Sequence, residues 1–151
     1  MKYLITILVL AVAALFLFAC SGKTPEGLGM RDGRLAPCPA SPNCVSSQAG
    51  DAQHHVDPIA ASGSQDVVMV DLANAIESMF GGKVVMLDGP YLRAEFTSRV
   101  MRFVDDLECY YDEDRGVLEV RSASRIGHSD FNANRKRVEE LRETFTAMRQ
   151  K

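Results

Sequence analysis

The chain has 151 residues and a formal charge of −3, from 17 basic and 20 acidic side chains. That length suits one domain around one core. The acidic balance argues against a nucleic-acid binder, which needs a basic face to neutralise phosphates.

The N-terminus reads Met1-Lys2-Tyr3, then an uncharged apolar run over residues 4–19, then Cys20-Ser21-Gly22. One basic residue ahead of a short apolar stretch is the layout of a secretory signal, so residues 1–19 are expected to be a signal peptide. The run has 16 residues, short of the roughly 20 that span a hydrocarbon core as a helix. No basic stop-transfer cluster follows it, which favours cleavage over a retained anchor. Leu17-Phe18-Ala19-Cys20 resembles a bacterial lipobox: Leu17 and Ala19 fit, while Phe18 is bulkier than the small residue usual there. The resemblance implies diacylglyceryl transfer to the Cys20 thiol, cleavage before it, and three acyl chains on the mature cysteine. One chain binds membranes only marginally, at about 0.8 kcal/mol per buried methylene, whereas three hold permanently. By the sorting rule of that class, Ser21 rather than Asp favours the periplasmic face of the outer membrane. The membrane is thus the first expected partner. Removing residues 1–19 removes Lys2 alone among charges, leaving 16 basic and 20 acidic residues and a charge of −4.

Residues 20–36 are expected to be a lipidated tether. From Ser21 to Ala36 the chain holds four glycines, one proline and scattered charges without apolar periodicity, which suggests flexible reach of roughly 20 Å. A single domain over residues 37–151 follows, opening with a cysteine-bracketed arm. Cys38 and Cys44 enclose Pro39-Ala40-Ser41-Pro42-Asn43, a turn-rich loop able to bring the sulfurs together, and an oxidising compartment would make them a disulfide. Closing so small a loop contributes about 2 kcal/mol on the chain-entropy account. The alternative is a metal site completed by His54 and His55. Adjacent histidines point in different directions in most backbones, and the spacing matches no standard zinc pattern, so no metal or other cofactor is expected.

Residues 66–80 predict the first helix, with Val68, Leu72, Ile76 and Met79/Phe80 at helical spacing, Asp66 able to cap it and Gly81-Gly82 stopping it. Residues 83–88 form a compact apolar strand, and Gly89-Pro90 turns the chain. Residues 91–98 alternate, with Leu92, Ala94 and Phe96 on one side. Residues 102–111 alternate likewise: Phe103, Leu107, Cys109 and Tyr111 inward, Arg102, Asp106 and Glu108 outward. Cys109 is thereby a core thiol. After the polar turn 112–116, residues 117–126 return with Leu118, Val120, Ser122 and Ser124 inward and Glu119, Arg121 and Arg125 outward. Of two registers that match the apolar faces, one sets Glu108 against Arg121 and Tyr110 against Glu119. The other opposes Glu108 to Glu119, an unfavourable like-charge pair, so the first is expected. Residues 132–148 form the last helix, with Val138, Leu141, Phe145 and Met148 in a stripe. The sum is α+β: a four-stranded antiparallel meander with an N-terminal and a C-terminal helix on one face.

Between the last strand and helix lies a polar cluster: Arg121, Ser124, Arg125, Ser129, Asp130, Asn134 and Arg135, beside a helix N-terminus. Exposed N–H groups, a positive dipole end and arginines would suit an anion. Asp105 joins them, because alternation places its carboxylate on the apolar face opposite Ser124. A buried carboxylate demands a partner, which Arg125, Ser124 or Asn134 could supply.

Three blocks here are similar to a family catalogued as domain of unknown function 1499. They are Cys38-Pro39 with Ser41-Pro42-Asn43-Cys44-Val45-Ser46-Ser47; Phe103-Val104-Asp105-Asp106; and Arg121-Ser122-Ala123-Ser124-Arg125 with Gly127, Ser129-Asp130 and Asn134-Arg135. The resemblance runs from Pro37 to about Phe145. It implies a small α+β domain, often exported, with no established activity or catalytic set. His128 stands where that family commonly has an aromatic residue, which argues against an essential base.

Three readings of the cluster follow. It can be an ion-pair network locking the strand-to-helix corner, a site for a small anionic ligand or envelope protein, or a hydrolase site within residues 122–130. The last would need Ser122, Ser124 or Ser129 activated by His128, with Asp105 or Asp130 orienting it. No nucleophile elbow or metal-ligand spacing is present, and a non-catalytic binding or scaffolding domain is the expectation.

Overall fold

The computed structural model describes residues 22–150 together with Tyr3, Thr6 and Ile7. The expected cleavage and lipidation site at Cys20 and most of the expected signal peptide lie outside the described residues. No helix among the described residues is long and apolar enough to cross a membrane.

The chain forms β1 (Cys44–Ser46), β2 (Ile59–Ala60), α1 (Gln65–Ser78), β3 (Gly82–Asp88), β4 (Tyr91–Thr97), β5 (Val104–Asp112), β6 (Val117–Ser124) and α2 (Ala133–Arg149). The fold is α+β, with the expected β3-β4-β5-β6 meander inside a larger antiparallel sheet. That sheet has six strands rather than four, because β1 and β2 both pair along the far edge of β6. Strands of three and two residues are too short to display the alternation by which a strand is recognised. Their pairing is decided by the β6 edge they cover.

The β5–β6 register sets Glu108 against Arg121, Cys109 against Val120, Tyr110 against Glu119 and Asp105 against Ser124, as charge matching predicts. Leu92, Ala94 and Phe96 of β4, Leu107, Cys109 and Tyr111 of β5, and Leu118 and Val120 of β6 face the helices. They pack with Val68, Leu72 and Ile76 of α1 and Val138, Leu141 and Phe145 of α2 in one core. Cys109 is fully buried and free.

The ends of the elements differ from expectation. Asp66 lies in the first turn of α1 rather than capping it, where its charge still favours the positive end of the helix dipole. Gly81 takes a φ of +78°, and a Cβ there would stand 2.5 Å from the Thr97 carbonyl oxygen, so only glycine fits this stop. The helix therefore ends at Ser78; Met79 is buried and Phe80 is exposed rather than in the stripe. Phe103 also faces solvent, since β5 begins one residue later. Met148, placed in the α2 stripe by its spacing, is likewise exposed.

The face of the sheet away from the helices is not solvated as simple alternation suggests. Asp106, Glu108, Glu119 and Arg121 are all buried. Part of the cover is residues 22–36, read above as a tether. The Gly22 carbonyl accepts from Arg125, the Gly29 amide donates to Glu108 Oε1 at 2.7 Å, and the Leu35 amide donates to Gln48.

Candidate functional site

The polar residues of the β6–α2 corner sit on two opposite faces of the sheet. On the helix face, Asp105 of β5 accepts from Arg137 Nη2 of α2 at 2.5 Å. Arg137 Nη1 also donates to Ser122 Oγ and Asn134 Oδ1, and its guanidinium lies 4.9 Å from the Phe96 ring centroid. Ser122 Oγ donates to Asn134 Oδ1 at 2.6 Å. The Asn134 amide nitrogen donates to Ser124 Oγ, the Asn43 carbonyl and Asp130 Oδ2, between 2.8 and 3.0 Å. Fully buried Asn134 thus ties the arm, the last strand and the helix start together.

Asp130 completes this face as an internal anion. Its carboxylate accepts from the backbone amides of Asn132 and Asn134 at 3.1 and 2.8 Å. These are the orphan donors that a helix start presents to an anion, so the chain itself occupies the anion position expected from sequence.

On the opposite face, Arg125 pairs with Asp106 through Nε and Nη2, both at 2.7 Å, and with Glu95 at 2.5 Å. Those carboxylates, Asp106 foremost, raise its pKa against the effect of burial. Arg125 therefore does not meet Asp105. Ser124 opposes Asp105 on the helix face, and alternation turns the next side chain to the other face. Beneath residue 29, fully buried Glu108 accepts from Arg121 Nη1 at 3.0 Å and from the Tyr91 hydroxyl at 2.8 Å. Arg121 Nε is a buried side-chain atom without a partner among the described residues. Burial, then the Glu108 charge, pushes both the Tyr91 hydroxyl and the Cys109 thiol far up. Cys109 is consequently held as an unreactive thiol.

The remaining candidates lie apart from both networks. Arg135 donates to the carbonyls of His55 and Gln53 at 2.7 and 2.9 Å, fastening the loop before β2. Ser129 and His128 are exposed. The Ser122 and Ser124 hydroxyls are engaged with Asn134, and Asp105, the carboxylate opposite Ser124, is engaged with Arg137. Among the described residues no hydrogen bond joins His128 to Ser122, Ser124, Ser129, Asp105 or Asp130.

Cys38 and Cys44 form a disulfide, and its loop is held from outside by His54. The Nδ1 of His54 faces Asp51 Oδ1 at 2.8 Å and its Nε2 faces the Ser41 carbonyl oxygen at 3.2 Å. These two acceptors suit the imidazolium, the form with two donors, with the Gln53 side-chain nitrogen farther from Nε2 at 3.5 Å. The Asp51 hydrogen bond, acting against burial, raises the His54 pKa above its ordinary 6.5; His54 in turn lowers Asp51 below its ordinary 3.8. A groove of about 490 Å³ lies alongside, lined by Gly29, Arg31, Arg34, Gln48 and Asp51 among others.

Arg137, Asn43, Asp106, Glu95 and Glu108 were not among the candidates read from sequence. Arg137 had a signal: it follows Asn134 by three residues, the spacing that shares one helix face. Asn43 lies within the disulfide loop, where its second role as carbonyl acceptor and amide donor to Gly127 leaves no local trace.

Residues 34–145 match the family described as protein of unknown function (DUF1499). No curated protein matches the chain.

Proposed function

The chain belongs to the DUF1499 family, and from that premise we propose a bacterial envelope lipoprotein whose domain binds or scaffolds rather than catalyses. The observation that carries the non-catalytic part is the commitment of the corner's polar groups to one another. Asp105 answers Arg137, the two inward serines answer Asn134, and Asp130 answers the helix backbone. Groups engaged in this way hold an architecture, whereas a general base needs a reachable substrate proton. The groove beside the disulfide loop offers Arg31 and Arg34, both exposed, to a small anionic ligand or an acidic segment of an envelope protein. The envelope location is supported by the signal-like residues 1–19, by Cys20 at their end, and by the Cys38–Cys44 disulfide, which suits an oxidising compartment.

The anchor is tested by feeding labelled palmitate to cells producing the wild type or Cys20→Ser. Wild type should take up label and be processed, and the variant should remain an unlabelled precursor. Equal labelling of the two would reject the anchor. An enzymatic role would instead show as a pH-dependent activity of the purified protein that His128→Ala abolishes.

A further inference from the structure

One end of the domain gathers the close of β4, the start of β5, the close of β6 and the start of α2. Three large apolar side chains there stand in solvent: Phe131 is 88% exposed, Val100 72% and Phe80 61%. Phe131 holds a φ of +52°, a left-handed conformation costing a bulky residue roughly 1–2 kcal/mol, and Asn132, which adopts that region readily, follows at +64°. A strained loop that presents a phenylalanine outward gains nothing from it in the folded core. Such strain marks a displayed residue. Among these apolar groups stand Arg99, Arg102 and Lys136, all exposed, with the Arg99 guanidinium 4.2 Å from the Phe80 ring centroid. The opposite end of the sheet carries the acidic turn Glu113-Asp114-Arg115-Gly116, in which Arg115 is the one basic residue. Its exposed apolar side chains, Met86 and Leu87 at the close of β3, are about half exposed.

The path of the chain before the domain selects this end. The Gly22 carbonyl accepts from Arg125 Nη1 at 3.0 Å, just past the close of β6. Gly22 is thus the described residue nearest in sequence to the proposed anchor, and the two peptide units that separate it from position 20 can span no more than about 7 Å. The acidic turn is farther by the length of β5, whose nine residues run roughly 30 Å at about 3.3 Å per residue.

We propose that this end of the domain rests on the lipid bilayer, with Phe80, Val100 and Phe131 entering the interfacial layer and Arg99, Arg102 and Lys136 meeting headgroup phosphates. The proposal rests on the lipid anchor at Cys20 put forward above. Apolar side chains that enter the acyl boundary and basic groups that stay at the headgroups are the two contributions that hold a surface to an anionic membrane. Arginine and lysine can lay their aliphatic stems along the apolar groups while their charges reach outward.

The test uses the full-length exported protein in vesicles of phosphatidylethanolamine with a minority of phosphatidylglycerol. Phe131→Cys, Val100→Cys and Asp114→Cys each carry an environment-sensitive fluorophore. Cys38 and Cys44 are bridged, Cys109 is buried and Cys20 is blocked in acylated protein, so in that protein the introduced thiol takes the label. Acylation is read by intact mass on the same samples. Labels at positions 131 and 100 should shift to the blue and be quenched by lipid-borne quenchers, while the label at 114 stays aqueous. Acylated protein with all three labels aqueous, or with 114 the buried one, would overturn the orientation and leave the anchor standing. Labels shielded in whole cells yet aqueous in pure lipid would overturn it in favour of a protein partner. Protein without acyl chains would refute the anchor and this orientation together.

Discussion

Arg137 and Asp105 meet across the strand-to-helix corner, Nη2 to Oδ2 at 2.5 Å, with both side chains nearly out of solvent. One guanidinium on α2 thereby neutralises the carboxylate that strand alternation drives onto the apolar face, while its other nitrogen braces Ser122 and Asn134. Arg137→Met should strand Asp105 and cost about 3–5 kcal/mol, the usual penalty for breaking a buried pair from one side. Adding Asp105→Asn to that variant should recover part of the loss. Urea denaturation of the three proteins measures both quantities, and a loss below about 1 kcal/mol for Arg137→Met would show that the pair is not structural.

Arg125 is expected to behave as a structural residue on the other face. Arg125→Ala leaves Asp106, 1% exposed, with Arg93 at 3.4 Å as its one cationic partner among the described residues. The expected loss is toward the lower end of the same 3–5 kcal/mol range, read as a fall in melting temperature of the purified protein. A variant as stable as wild type would return Arg125 to the role of a preformed ligand group.

The His54–Asp51 clamp makes part of the stability pH-dependent. The folded pKa of His54 is raised, so its contribution is fully present below the unfolded value near 6.5 and is lost as pH rises through the folded value. Asp51 is lowered, so its contribution is present above 3.8 and is lost as pH falls through its folded value. Wild type should therefore exceed His54→Gln most clearly between those two transitions, and the difference should shrink in alkaline buffer. A difference that is flat from pH 5 to pH 9 would mean that folding leaves the ring's pKa unshifted, and one that grows with pH would mean that the folded ring is held neutral.

Asp130→Ala removes the carboxylate at the start of α2 and should cost about 1 kcal/mol, as the loss of a helix cap does. Because the vacated amides then resemble an open anion site, inorganic phosphate should stabilise the variant and leave wild type unchanged. Thermal melts with and without phosphate decide this; equal stabilisation of both proteins would place any phosphate elsewhere.

Reduction of the Cys38–Cys44 bridge should lower stability by about 2 kcal/mol. In mass analysis of the denatured, unreduced protein, alkylation should modify Cys109 and leave Cys38 and Cys44 unmodified. Addition at three thiols would contradict the bridge.

By itself the sequence determined what depends on neighbouring residues. Alternation in the meander identified Leu92, Ala94, Leu107 and Cys109 as core. The unfavourable pairing of Glu108 with Glu119 selected the β5–β6 register, and the short loop between Cys38 and Cys44 selected their bridge. These follow from a backbone period of two and from charges or sulfurs that a tight connection brings together. Only the tertiary structure decided which partners meet across the chain: Asp105 with Arg137 at a separation of 32 residues, and Glu108 with the Gly29 amide at 79. Alternation states which face a side chain takes, but not what covers that face. The outward carboxylates Asp106 and Glu108 look solvated in sequence and are buried in the fold. Arg121 beside Glu108 follows from the register, but the residues 22–36 that cover this face, the Gly29 amide on Glu108 among them, come from a segment that no local period connects to it.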